Sequence, residues 1–226
     1  MITIHHLGVS QSDRVVWLME ELNLPYELKW YDRGADFLAP PEYRALHPVG
    51  TAPIIVDGDL VMAESTAIVE YISQRHGGGC LSVPVSDPNY PHYLFWMQFN
   101  NNLQSVLFIK LAFQSTGTTP GTDNPMMATT QRREDGIYRA LEQRLGESNY
   151  LGGPNFSCAD IMSMFNLTSL TMLGARAIDD SMPNTKAYVE RVTARPAYKK
   201  AMSIANLVEE IWFTKYPCPV KSYLTS

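Results

Sequence analysis

Apolar positions along the chain change period several times. Residues 2–6 form a short β-prone run. Val15, Leu18, Met19 and Leu22 then recur at i, i+3, i+4 and i+7, the spacing of one helical face. Asn23-Leu24-Pro25 ends that helix, because proline disfavours helix at the residue before it. Residues 26–31 alternate as a second strand. Pro40-Pro41-Glu42-Tyr43-Arg44 opens a short helix or turn, closed before Pro48-Val49-Gly50. Residues 53–56 and 60–62 flank Asp57-Gly58-Asp59, a hairpin signal. Ser65, Ile68, Val69 and Ile72 mark a third helical face, which stops at Gly77-Gly78-Gly79. The order βαβαββα predicts a mixed four-stranded sheet covered by helices.

Residues 77–91, GGGCLSVPVSDPNYP, concentrate Gly, Pro, Ser and Asp in the manner of an interdomain linker. Beyond them strand signal almost vanishes. Helical patterns cover 93–113, 126–145, 184–194 and 196–213. Another helix opens at Ser157-Cys158-Ala159-Asp160, a capping-box sequence. The expected organisation is an α/β domain over residues 1–78, a linker over 79–91 and an all-α domain over 92–226. A loop over 115–125, STGTTPGTDNP, has the length of a lid, and the tail YPCPVKSYLTS could fold back.

Composition narrows the classes. The net charge is −5 and the Lys and Arg residues are scattered, which argues against nucleic acid as a partner. Cys80, Cys158 and Cys218 are odd in number and widely spaced, so neither a disulfide framework nor a zinc ribbon is expected. A reduced, cytoplasmic compartment fits them better. No stretch reaches the ~18 apolar residues of a membrane span, and the N-terminus MITIHHLG lacks the layout of a signal peptide. His5 and His6 are adjacent on a strand, so their rings face opposite sides and cannot easily share a metal. No metal site is expected.

Three stretches carry candidate chemistry, each with a plainer alternative. Ser10-Gln11-Ser12-Asp13 is either a helix start of the Ser-x-x-acid type or a reactive hydroxyl where a strand turns into a helix. In Thr51-Ala52-Pro53, Pro53 is either a trans proline opening a strand or a cis proline whose kink turns the Ala52 backbone outward, where it can pair with an extended peptide. Glu64-Ser65 either caps a helix or binds an α-amino acid. In the second case the helix N-terminus and the Ser65 hydroxyl meet a carboxylate, and Glu64 meets an ammonium.

Their order and context resemble the glutathione transferase family, in its serine-type classes (theta, phi and zeta), over essentially the whole chain. The matching stretches are SQSDRVVWLMEEL, HPVGTAPIIVDGDLVMAES and SCADI. The resemblance implies a thioredoxin-like N-terminal domain, an all-α C-terminal domain contributing an apolar electrophile pocket, and a homodimer. It implies that Ser10 is the active-site hydroxyl in a Ser-Gln-x-x-Arg setting, with Ser12 as the alternative. The Ala52 backbone, before a cis Pro53, would pair with the cysteinyl unit of glutathione. Glu64 and Ser65 would hold the γ-glutamyl end, and Thr51 stands where many members carry Gln or Lys. His47, where members commonly carry Asn, receives no role.

There are departures from other branches. His5 and His6 stand where the tyrosine-type classes place Tyr, and no cysteine opens the first helix as in the thioltransferase classes. The resemblance therefore implies a detoxification transferase. It would activate glutathione, its co-substrate, as a thiolate and join it to small apolar electrophiles. A glutathione-dependent peroxidase or isomerase on the same site, and a non-catalytic binding protein of this fold, are the alternatives. Tyr93, Trp96 and Met97, with Asn100-Asn101-Asn102 after them, are candidate walls for the electrophile.

Overall fold

The computed structural model describes residues 1–34, 38–99, 101–115, 124–170 and 175–205, without the side chains of 114 and 115. Asn100, Cys218, most of the expected lid, the end of the last predicted helix and the tail lie outside these residues.

The described chain divides into two compact units. The first comprises residues 1–82 together with the segment from Val192 onward; the second is Val83–Arg191. In the first unit β1 (Ile2–Leu7), α1 (Asp13–Glu21), β2 (Tyr26–Tyr31), α2 (Pro41–Arg44), β3 (Ile54–Asp57), β4 (Leu60–Ala63) and α3 (Ser65–Arg75) follow in the predicted order. The sheet order is β2-β1-β3-β4. Strands β1 and β2 are parallel, while β1–β3 and β3–β4 are antiparallel. This is the mixed sheet expected of a thioredoxin-like domain.

Alternation along β1 sends neighbouring residues to opposite faces. Leu7 clusters with Tyr43 of α2 and Ile54 of β3. His5, which shares that face, meets the Tyr31 hydroxyl through Nδ1 at 2.8 Å. His6 faces the other way, towards the start of α1. The buried face of α1 supplies Val15, Trp17, Leu18 and Met19 to the core.

In the second unit α4 (Tyr90–Phe99) and α5 (Asn101–Ser115) lie on either side of Asn100. They are followed by α6 (Pro125–Glu147), α7 (Cys158–Leu167) and α8 (Pro183–Thr193), whose last two residues belong to the first unit. The predicted capping box forms: Asp160 accepts from the Ser157 N–H at 2.8 Å. The buried Asp160 carboxylate also accepts from the Leu151 N–H and the Tyr188 hydroxyl, so it is a structural knot. Tyr93, Trp96 and Met97 are buried in this unit, each 3% exposed, and Trp96 lines a small cavity with Phe99, Leu103, Ile137 and Leu141. Asn102 turns its amide back onto the Phe99 carbonyl.

The last described helix, α9 (Pro196–Ala205), departs from the expected all-α domain over 92–226. It belongs to the first unit, where it packs along α1. Arg195 grips Glu21 of α1 with two bonds of 2.7 Å, Lys200 reaches Glu20 at 2.6 Å, and Tyr198 meets Trp17 edge to face.

Candidate functional site

Strand polarity gathers the candidate residues at one end of the sheet. β1 runs out at Leu7, β3 starts opposite it with Ile54 paired to His5, and Ile54 also pairs with Ala63, the last residue of β4. Ser10, Ala52-Pro53 and Glu64-Ser65 all follow or precede these strand ends. The N-termini of α1 and α3 open there too, and ligands of α/β sheets commonly bind at such an end.

The Ala52–Pro53 peptide is cis. Pro53 is buried, Ala52 partly buried and Thr51 exposed. Glu64 sits at the N-cap position of α3 with φ 77° and ψ 112°, and its side chain makes no capping bond. Simple capping therefore does not explain this glutamate. A non-glycine residue held there is strained, and such strain tends to collect at ligand sites. The Glu64 carboxylate is left exposed while Ser65 beside it is buried.

Ser65 is tied to Gln11 across 54 residues of sequence and to Arg14 of α1 across 51. Its hydroxyl donates to Gln11 Oε1 at 3.0 Å and accepts from Arg14 Nη1 at 2.9 Å, while Arg14 also donates to Gln11. The Ser-Gln-x-x-Arg run thus places a buried cation behind the N-terminus of α3. Burial lowers the Arg14 pKa to about 9, with Glu64 and Asp13 opposing that fall, so the guanidinium stays charged at neutral pH. A helix N-terminus backed by a fixed cation suits a carboxylate. Sequence reasoning named Arg14 only as a motif position. The signal was there, since it is the one basic residue on the apolar face of α1.

At Ser10 the expected Ser-x-x-acid cap does not form. The N-cap of α1 is Ser12, which makes no side-chain cap. Ser10 Oγ instead accepts from the Ser12 N–H at 3.2 Å and lies 2.7 Å from Ser12 Oγ. Ser12 is wholly buried against His6 Nδ1 at 2.8 Å and the Leu7 backbone at 3.3 Å, whereas Ser10 retains 7% exposure. Arg33 fixes the turn before Ser10 by donating to the Gly8 and Val9 carbonyls at 3.1 and 2.9 Å. Burial, aided by the positive Arg33, lowers the His6 pKa to about 4, so its ring is neutral. His6 had been set aside with His5. Its Ala205 partner lies 199 residues along the chain, too far for spacing to reveal.

Among the described residues no group of three or more His, Cys, Asp or Glu could hold a metal ion. Cys158 is buried and Cys80 exposed, and neither lies at the α1 start.

Comparison with known proteins gives this arrangement a family. The glutathione S-transferase N-terminal domain model matches residues 10–75 and the C-terminal domain model residues 106–196. Glutathione S-transferase 3 of Schizosaccharomyces pombe is 42% identical over 100 residues, which are 44% of this chain and 41% of that one. A glutathione S-transferase structure from Actinobacillus pleuropneumoniae is 32% identical with a TM-score of 0.78, over 91% of this chain and 93% of that one. A theta class glutathione S-transferase of Xanthomonas axonopodis pv. citri with glutathione bound shares the fold at 24% identity and a TM-score of 0.64, over 88% and 96% of the two chains. With both domain models matched and a relative alike over nearly its whole length, the chain belongs to the glutathione S-transferase family.

Proposed function

We propose that the protein is a cytoplasmic, homodimeric glutathione transferase that joins the glutathione thiolate to small apolar electrophiles. Ser10 is the hydroxyl that meets the sulfur. The observation that carries this reading is the single sheet end that holds the Ser10 hydroxyl, the Ala52–cis-Pro53 turn and the Glu64-Ser65 start of α3. The bound glutathione of the Xanthomonas relative supports it.

The γ-glutamyl carboxylate would sit on the α3 N-terminus at Ser65, with Arg14 behind, and its ammonium against Glu64. The Ala52 backbone would pair with the cysteinyl unit, and Thr51 lies on the exposed rim beside it. An ordinary thiol has a pKa of about 8.5, so only a few per cent is ionised at neutral pH. Lowering it by ~2 units makes the thiolate dominant and needs roughly 2.7 kcal/mol of differential stabilisation. A hydroxyl donor to sulfur and the nearby start of α1 are of that order together. Ser10, the more outward of the two hydroxyls, is the donor; Ser12 is spent on the interior.

Retention on immobilised glutathione, then turnover of a chlorinated nitroaromatic, tests the reading. Ser10→Ala should cut kcat by roughly 10²-fold, the loss usual for one donor to a developing anion, with little change in glutathione affinity. An unchanged kcat would remove Ser10 from the role. Turnover of an organic hydroperoxide in place of the nitroaromatic would make the protein a peroxidase instead.

A further inference from the structure

The turn that delivers Ser10 is built on an unfavourable residue. Val9 has φ 50°, in the left-handed region. A β-branched side chain is a genuine outlier there, whereas glycine adopts the same conformation without strain. Val9 therefore has to be held. Arg33, in the segment after β2, bonds the backbone on both sides of it. Its Nε donates to the Gly8 carbonyl at 3.1 Å and its Nη2 to the Val9 carbonyl at 2.9 Å. Those carbonyls belong to the two planar peptides that meet at the Val9 Cα. One rigid guanidinium gripping both fixes their mutual rotation, which is the φ and ψ of Val9. The second peptide ends at the Ser10 nitrogen, so its plane sets the direction in which the Ser10 side chain leaves the backbone.

We infer that Arg33 is the positioning residue of Ser10: it holds Val9 in the left-handed conformation and so aims the Ser10 hydroxyl at the glutathione sulfur. This rests on the reading that Ser10 meets the thiol. Arg33 acts through the turn and not on the sulfur. On the far side of Ser10 the frame comes from α1. The Ser12 N–H donates to Ser10 Oγ at 3.2 Å, and the Asp13 N–H donates to the Ser10 carbonyl at 3.2 Å. Those bonds fix Ser10 relative to the helix, while Arg33 fixes it relative to the strand.

The surroundings suit a fixed fork. Trp30 of β2 lies close against the turn, where a Cβ added at Gly8 would stand 3.3 Å from its ring. Glycine there lets the backbone rest on the indole. Arg33 is partly buried. Burial lowers its pKa, and the Asp13 carboxylate opposes that fall. Asp13 stands in the first turn of α1, so the cation has its counter-charge on the helix that follows Ser10. Arg33 thus joins the turn before Ser10 to the helix after it. A lysine could not do this in the same way, because an ammonium is a point charge with no fixed angle between two bonds.

A double-mutant cycle between Arg33→Met and Val9→Gly tests this. Methionine keeps an apolar stem and removes both donors; glycine removes the strain that the donors hold. With Val9 in place, Arg33→Met should cut kcat for the chlorinated nitroaromatic ~10-fold or more, as misplacing a reacting group does, with the KM for glutathione held within about twofold. Ultraviolet titration of bound glutathione should show the thiolate forming at higher pH. In the Val9→Gly background the same Arg33→Met change should cost about threefold or less, and the thiolate titration should move back. Equal losses in the two backgrounds overturn the proposal and leave Arg33 acting by its charge. An Arg33→Met enzyme with intact kcat overturns it too. Should Arg33→Met fail to fold, Arg33→Gln takes its place in the cycle, and the same inequality between backgrounds is expected. Ser10→Ala separates the two readings. If it leaves kcat unchanged, the Ser10 role and its positioning fall together. If it lowers kcat while the cycle is additive, only the positioning falls.

Discussion

His6 makes a pH-dependent contribution to stability. Its folded pKa of about 4 lies below the ordinary value of 6.5. Between these values the unfolded chain binds a proton that the folded chain does not. Stability is therefore full above about pH 6.5 and falls as pH drops towards about 4, by about 3 kcal/mol across the window. Burial lowers the His5 pKa as well, and that adds in the same direction. Denaturant unfolding at a series of pH values should show this slope, and His6→Asn should flatten it; an equal slope in the variant would assign it elsewhere. The contribution was invisible in the sequence. Spacing placed His5 and His6 on opposite faces of a strand, as found. It could not show that one face would bring Ala205 against His6, or that Ser12 would turn inward and leave Ser10 uncapped.

At the scale of elements, local periodicity was enough for βαβαββα, even though β2 and β4 contain no fully buried residue. The ties between elements were not local. Arg14 to Ser65 spans 51 residues and Arg195 to Glu21 spans 174. The second of these sets α9 against α1, and α9 carries the carbonyl that orients His6. Glu21 is 7% exposed and Arg195 29%, and the pair is bidentate, so removing Arg195 leaves the Glu21 carboxylate with the Trp17 N–H but without this counter-charge. Arg195→Ala should cost about 2 kcal/mol in denaturant unfolding. Lys200→Ala should cost about 0.5 kcal/mol or less, because Lys200 is 64% exposed and its pair is easily replaced by water. Equal costs for the two would mean that Trp17, Tyr198 and their neighbours, rather than the charges, hold the helix.

For the molecule as a whole, the sequence suggests a cut near residue 80, with a self-contained α/β domain before it. The structure departs from that, because the first unit is built from two pieces of chain: residues 1–82 and the part from Val192 onward. Composition could mark the linker at 77–91, but it could not show that the chain later returns. The return matters because α1 is buried on more than one side. Asp13 to Met19 are buried without interruption, and a helix with so little wet surface needs cover from another element. That cover includes α9, with Tyr198 on Trp17, Arg195 on Glu21 and the Ala205 carbonyl on His6. A fragment of residues 1–82 should therefore expose α1 and leave the His6 N–H without its carbonyl. We expect it to lack the cooperative unfolding transition of the intact chain and to bind a hydrophobic dye. The same fragment joined by a flexible linker to residues 192–226 should regain the transition. Cooperative unfolding of residues 1–82 alone would show that α9 decorates this unit and does not complete it. In that case the His6–Ala205 bond would cease to be a structural requirement, and any effect of α9 would have to appear in turnover alone.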